Sequence, residues 1–131
     1  ECVSLKNRAE YHVAKTGSGG HNHSYLIYPD ISYHNSERHH RLDFRYALFD
    51  NQSGGVYAYE SDILYSFSST SYYHKGMRMY AVGRAMLNKK LTINAKIGAT
   101  IYHDIDEIGS GLEKIDGNIK CDATIQMTLK L

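Results

Sequence analysis

The chain has 131 residues, with 15 basic and 14 acidic side chains and a formal net charge of +1. This length allows one domain, and the balanced charge gives no reason to expect a nucleic-acid or strongly acidic partner. No apolar run approaches the roughly 20 residues of a membrane-spanning helix, which excludes a helical membrane protein.

Apolar and polar residues alternate with a period of two in successive stretches of the chain, which is typical of strands with one apolar face. The first stretch is the weakest, and the last alternates from Asn118 to Leu131 without an error. The sequence therefore predicts an all-β chain with one unit over 1–131 and about seven antiparallel strands. These are 3–13, 25–34, 41–48, 57–67, 77–87, 91–103 and 118–131.

The length of the last stretch indicates a membrane. At 14 residues it is about twice an ordinary strand of roughly 5–6 residues, and a tilted strand needs only about 9–11 residues to cross a bilayer. Twelve tyrosines agree, because their amphipathic rings favour the water–membrane boundary. The fold class that we predict is an antiparallel up-and-down transmembrane β-barrel.

The connections between these strands differ in length. Outer-membrane barrels have short periplasmic turns and longer external loops. This rule assigns the turns at 50–55 and 88–90 to the periplasm and the loops at 34–40, 68–76 and 104–117 to the outside. The run 15–22 is an exception, since it should be periplasmic yet is long and rich in glycine.

The polar rows of these strands carry charges of both signs, as a narrow polar lumen requires, because buried charges need partners. Ile93, Ile97 and Ile125 belong to the opposite rows and are expected to face lipid. A soluble, lipocalin-like barrel that binds a hydrophobic small molecule stays open as the alternative, with the apolar rows inside. The candidate lumen-facing residues are Arg41, Asp43, Arg45, Glu60, Asp62, Arg78, Arg84, Lys96, Lys120 and Asp122.

Other chemistry finds little support in the sequence. The eight histidines lack the spacings of zinc motifs, and the acidic loop at 104–107 lacks the glycine and terminal glutamate of a calcium loop. No nucleophile motif is visible, so we expect no enzyme, no metal and no cofactor. Cys2 and Cys121 are the two cysteines, and Cys121 is interpreted as a small residue of a lipid-facing row.

Two stretches resemble a known family. These are RYALFDNQSGGVYAYESDILYSFSSTSYYHKGMRMY (45–80) and IGSGLEKIDGNIKCDATIQMTLKL (108–131). They are similar to the C-terminal part of large Gram-negative outer-membrane β-barrel proteins, often described as helix-hairpin-helix domain-containing. The chain departs from such barrels at Leu131, where an aromatic residue is common, and at Ser61, where asparagine is expected.

The resemblance implies a location in the bacterial outer membrane and a barrel fold. The function that we predict is a barrel wall or scaffold with a charged lumen, a class that includes pores and transport-related components. It implies no catalytic residue and no nucleic-acid partner. Because bacterial single-chain barrels have an even number of strands, seven strands need completion. The expected partners are outer-membrane lipid and either further N-terminal strands or a second chain.

Overall fold

The computed structural model describes residues 1–51, 56–64, 66, 68–109 and 111–130, and strands make up most of them. A short 3-10 helix covers Gly111–Glu113. No helix in these ranges is long and apolar enough to cross a membrane. The strands are β1 (Cys2–Lys15), β2 (His21–Asn35), β3 (His40–Asn51), β4 (Tyr57–Glu60), β5 (Ser68–Ser71), β6 (His74–Met86), β7 (Leu91–Tyr102), β8 (Glu107–Ile108), β9 (Ile115–Asp116) and β10 (Ile119–Leu129).

Six long strands form one sheet in the order β1-β2-β3-β6-β7-β10, and each neighbouring pair is antiparallel. The shortest of them, β10, has 11 residues and the longest, β2, has 15. The prediction of an all-β, antiparallel fold is therefore confirmed. Within the described ranges the sheet is open, with β1 and β10 as its two edges.

The predicted strand at 57–67 differs from the structure. Its first part forms β4, which pairs with β5 in a separate two-stranded sheet, while β3 pairs directly with β6. The large sheet thus has six strands where the sequence predicts about seven. Alternation alone cannot reveal this, because a strand that folds away into its own hairpin keeps the same period of two. Tyr65, Phe67, Leu131 and four residues of the predicted turn, 52–55, lie outside the described residues.

Because the predicted strand at 57–67 is not part of the large sheet, every strand before it runs in the direction opposite to the predicted one. We call the end where β1 begins and β10 finishes the terminal end, and the opposite end the loop end. The terminal end carries the short connections at 36–39 and 87–90. The loop end carries 16–20, 52–73 and 103–118. The connection at 34–40, predicted to be an external loop, is thus a short terminal-end turn, and 15–22 is no longer an exception to the rule of alternating lengths.

The two faces of the sheet differ in polarity. Direct partners in neighbouring strands share a face, so one face carries the residues in register with Arg45 and Lys96, and we call it the charged face. The apolar face carries Phe44, Ile97 and Ile125. Ile97 is 64% exposed and Ile125 is 77% exposed, whereas Lys96 is only 7% exposed. Large apolar side chains of the apolar face are therefore outside, while charged side chains such as Lys96 on the charged face are covered.

The cover over the charged face is the chain between β3 and β6. We call its described residues, 56–64, 66 and 68–73, the inserted segment. Val56, Ala58 and Tyr72 of the inserted segment are buried against the sheet, and the Tyr72 ring lies 5.0 Å from that of Phe49. The complete cluster is Leu26, Tyr28, Ala47, Phe49, Val56, Ala58 and Tyr72. This small core fastens the inserted segment at the loop end of the charged face.

Candidate functional site: the charged cluster beneath the inserted segment

Glu60, at the end of β4, is the centre of a buried charged cluster. Its side chain is completely covered and accepts hydrogen bonds from Arg78, whose Nη2 lies 3.0 Å from Glu60 Oε2. Lys96 Nζ lies 3.1 Å from the same oxygen and 3.5 Å from Asp62 Oδ2. Two basic residues of the sheet therefore hold two carboxylates of the inserted segment.

Arg78 is the most highly coordinated member of this cluster. Beyond Glu60, its Nη1 donates to Thr100 Oγ1 and to Asp122 Oδ1, each at 2.9 Å. Arg78 thus links the inserted segment to three strands, since it lies on β6, Thr100 on β7 and Asp122 on β10. A planar guanidinium with five fixed donors suits such a junction better than an ammonium group does.

Gly98 makes room for the link between Arg78 and Asp122. A Cβ atom at Gly98 would lie 2.8 Å from Asp122 Oδ2 and 3.1 Å from Arg78 Nη2. Side chains at these distances have to move, so the position is occupied by the residue without a side chain. The glycine is explained by the ion pair that crosses it.

Replacing Gly98 with alanine is therefore expected to weaken the protein by about 1–2 kcal/mol, because it overpacks the ion pair. The measurement is the free energy of urea unfolding in detergent micelles. Gly83→Ala is the matched control in the neighbouring strand, since its Cβ would meet Leu42 at an ordinary 3.9 Å. Equal losses in the two variants would contradict this account of Gly98.

Arg45 forms a second charged group on the charged face. Its guanidinium binds both carboxylate oxygens of Asp30 on β2, at 2.7 Å for Nη2, and donates to the backbone carbonyl of Tyr59 at 2.8 Å. It also lies 3.9 Å from the centre of the Tyr28 ring and 5.5 Å from that of Tyr80. Desolvated contacts of this kind contribute about 2 kcal/mol. Arg45 thus binds the backbone of β4 to the charged face of the sheet.

The inserted segment also reaches the far edge of the sheet. The Ser61 amide donates to Tyr80 Oη at 3.0 Å, and Gln126 Nε2 on β10 donates to the Leu64 carbonyl at 3.1 Å. Among the described residues, every buried side-chain nitrogen or oxygen has a hydrogen-bond partner. The inserted segment is consequently held along its length by polar contacts as well as by its apolar core.

The structure brings together most of the charged residues that the sequence singles out. Eight lie on the charged face of the sheet, and Glu60 and Asp62 lie on the inserted segment above it. Arg45, Glu60, Asp62, Arg78, Lys96 and Asp122 are joined to partners as described above, and Arg41 binds Asp43 at 2.8 Å. Arg84 and Lys120 are exposed on the same face, outside the cluster.

Asp30 was not among the predicted site residues, although it lies in the polar row of β2. The sequence provides little indication that Asp30 belongs to a charged site, because the two preceding residues of its row, Leu26 and Tyr28, are apolar. These two residues belong to the core beneath the inserted segment. An apolar patch within a polar row is therefore the sequence feature that points to a covering element.

The remaining chemical groups do not converge. Among the described residues, no group of three or more His, Cys, Asp or Glu side chains is placed to hold a metal ion. Cys2 and Cys121 are both free and exposed, on the opposite edge strands β1 and β10. What the arrangement does chemically is to neutralise buried charges and to fix the inserted segment.

Comparisons with protein-family models, with curated proteins and with solved structures find no match for this chain.

Proposed function

We propose that this chain is part of the wall of a bacterial outer-membrane β-barrel, with a structural role and a lumen closed by the inserted segment. Its apolar face contacts lipid, and its charged face lines the interior. The role is that of a scaffold without catalysis.

The observation that carries this proposal is the inverted polarity of the sheet. A soluble protein covers its apolar side chains and leaves its charges in water. Here Ile97 and Ile125 are exposed, while Arg78 and Lys96 are buried. Hydrocarbon is the solvent that favours this distribution, since only the outward rows of a transmembrane barrel need to be apolar. The lipocalin-like alternative needs the apolar rows enclosed, so the same observation speaks against it.

Strand length and connection length support the proposal independently. Each of the six strands of the large sheet has at least the about 9–11 residues that a tilted membrane-crossing strand requires. The terminal end has short turns, at 36–39 and 87–90, while the loop end has the long connections 52–73 and 103–118 beside the short turn 16–20. This is the pattern of outer-membrane barrels, whose periplasmic turns are short. The terminal end is therefore periplasmic in this proposal, and 103–118 is external.

The inserted segment supports a closed interior over an open pore. It contacts the charged face from β2, through Leu26, to β10, through Gln126. A solute that passed along the charged face would have to displace a segment held by buried ion pairs and by its own apolar core. The proposed interior is therefore filled, and transport through it would require that segment to move.

The open edges of β1 and β10 imply further strands. Unpaired backbone N–H and C=O groups are costly in hydrocarbon, so spanning sheets close. β1 and β10 run in opposite directions, and an even number of additional strands between them completes an antiparallel barrel. In this proposal those strands come from upstream sequence or from a second chain.

Cysteine labelling tests the proposal directly. In a background with Cys2→Ser and Cys121→Ser, single cysteines are placed by Ile97→Cys, Ile125→Cys or Thr124→Cys. In bilayers, a water-soluble maleimide is expected to modify the Thr124 variant and to leave the other two unmodified. In detergent-free denaturant all three should react equally, which is the control. Rapid labelling of the two isoleucine variants in bilayers would contradict the lipid-facing assignment.

A further inference from the structure

A row of basic side chains crosses the terminal end of the charged face. His34 on β2 is directly opposite Arg41 on β3, and Arg41 is directly opposite Arg84 on β6. Like charges that are directly opposed in neighbouring strands destabilise each other. Arg41 is compensated by Asp43, with its Nε 2.8 Å from Asp43 Oδ2. Among the described residues, no carboxylate forms an ion pair with Arg84.

These residues line a cavity of about 250 Å³, which we call the terminal-end cavity. The lining contains no carboxylate within the described part of the chain, and apart from Met86 it consists of arginines and histidines. Its volume lies just under the roughly 300 Å³ at which pockets for larger organic ligands begin. It has room for a small anion with a few waters, at about 30 Å³ per water. Its lining residues are His34, His39, His40, Arg41, Arg84 and Met86.

We propose that the terminal-end cavity binds a small oxyanion of the phosphate type, with Arg84 as its main ligand and Arg41 and the histidines as further donors. The planar fork of an arginine matches two oxygens of a phosphate, and such charge-assisted hydrogen bonds are among the strongest in proteins. An anion placed there relieves the repulsion between Arg41 and Arg84. This site is separate from the buried cluster around Glu60 and does not depend on the membrane location.

Two sources of the phosphate group are compatible with this geometry. The cavity lies at the terminal end of the sheet, and its lining includes both His34 on the charged face and His40, which is opposite Ala85 on the apolar face. A dissolved phosphate or phosphate ester reaches it from the charged face. A lipid headgroup reaches it from the apolar side. Both supply the same chemistry, so the experiment has one arm for each.

The test is a titration of the protein in non-ionic detergent micelles with inorganic phosphate, at constant ionic strength set with chloride, followed by calorimetry. We expect saturable binding that Arg84→Gln weakens by at least about tenfold, as for a hydrogen bond to a charged group. Arg84→Lys, which keeps the charge but loses the fork, should be intermediate. Arg38→Gln is the matched control, because Arg38 lies in the 36–39 turn at the same end but outside the cavity.

The second arm uses phosphatidylcholine vesicles with and without phosphatidic acid. Saturable binding of inorganic phosphate that depends on Arg84 assigns a soluble ligand. Binding confined to vesicles that contain phosphatidic acid, with the same dependence, assigns a headgroup. Equal weakening by Arg84→Gln and Arg38→Gln, or no saturable binding in either arm, overturns the proposal. Circular dichroism of each variant shows that the fold is retained.

Discussion

Arginine at position 125 is expected to impair insertion and folding in bilayers by about 2–4 kcal/mol, the range for a charge on the lipid face near mid-depth. Ile125 lies near the middle of β10 and its side chain is 77% exposed on the apolar face. Its direct partner on β7 is Ala95, so Ala95→Arg should have a similar effect. The measurement is the free energy of folding into vesicles, from urea titrations followed by circular dichroism.

Thr124→Arg provides the matched control for this prediction. Thr124 is adjacent to Ile125, is exposed like it, and lies on the charged face, where its direct partner is Lys96. We expect a loss of less than about 1 kcal/mol, because Thr124 is exposed and the charge of Lys96 opposite it is already compensated by Glu60 and Asp62. If Thr124→Arg is the more damaging variant, or if Ile125→Arg folds as well as the parent, lipid does not contact the apolar face.

The faces of the sheet could be predicted from the sequence because a period of two fixes them locally. Once Lys96 and Ile97 are adjacent in a strand, they point to opposite sides, whatever the partner strands are. The same holds for Thr124 and Ile125. The structure agrees with the predicted rows at these positions, and the charged residues singled out in the sequence share one side of the sheet or its cover.

The strand order could not be predicted in the same way, because pairing depends on contacts distant in sequence. The residues of β4 alternate like those of a strand in the large sheet. Tyr57 and Tyr59 are exposed while Ala58 and Glu60 are buried, yet β4 pairs with β5 and not with a strand of that sheet. Two features of the sequence indicate that one predicted strand does not belong to the large sheet. Seven strands gave an odd number, and the run 15–22 had the wrong length for its assigned side. Placing the residues after β3 over the charged face removes both conflicts.

Replacing Glu60 with glutamine is expected to loosen the inserted segment by about 3 kcal/mol, the lower part of the range for breaking a buried ion pair. Arg78 and Lys96 both lose a charged partner in this variant. The loss is limited because Asp122 still faces Arg78 and Asp62 still faces Lys96. The measurement is hydrogen exchange of the amides at 56–64, compared with those of the large sheet.

The ion pairs of Glu60 with Arg78 and Lys96 also make the stability of the inserted segment depend on pH. Burial alone would raise the pKa of the Glu60 carboxyl, but the hydrogen bonds and charges of Arg78 and Lys96 outweigh burial and hold the pKa below its ordinary value of 4.5. A lowered pKa contributes stability that is present above the ordinary value and is lost as the pH falls through the lowered one. We therefore expect the protection factors of the amides at 56–64, corrected for the intrinsic pH dependence of exchange, to fall in acid below pH 4.5. Glu60→Gln should remove the part of this fall that Glu60 causes.

Two further variants separate an ion pair from a general packing effect. Glu37→Gln removes a carboxylate from the exposed turn at 36–39 and should leave exchange at 56–64 unchanged. The double variant Glu60→Gln with Arg78→Gln should cost less than the sum of the two single variants, since the charge that is left uncompensated by the first change is removed by the second. If the losses of stability in the two single variants add up to the loss in the double variant, Glu60 and Arg78 act independently. The inserted segment would then be held by its apolar core at Phe49 and Tyr72 and not by the charged cluster.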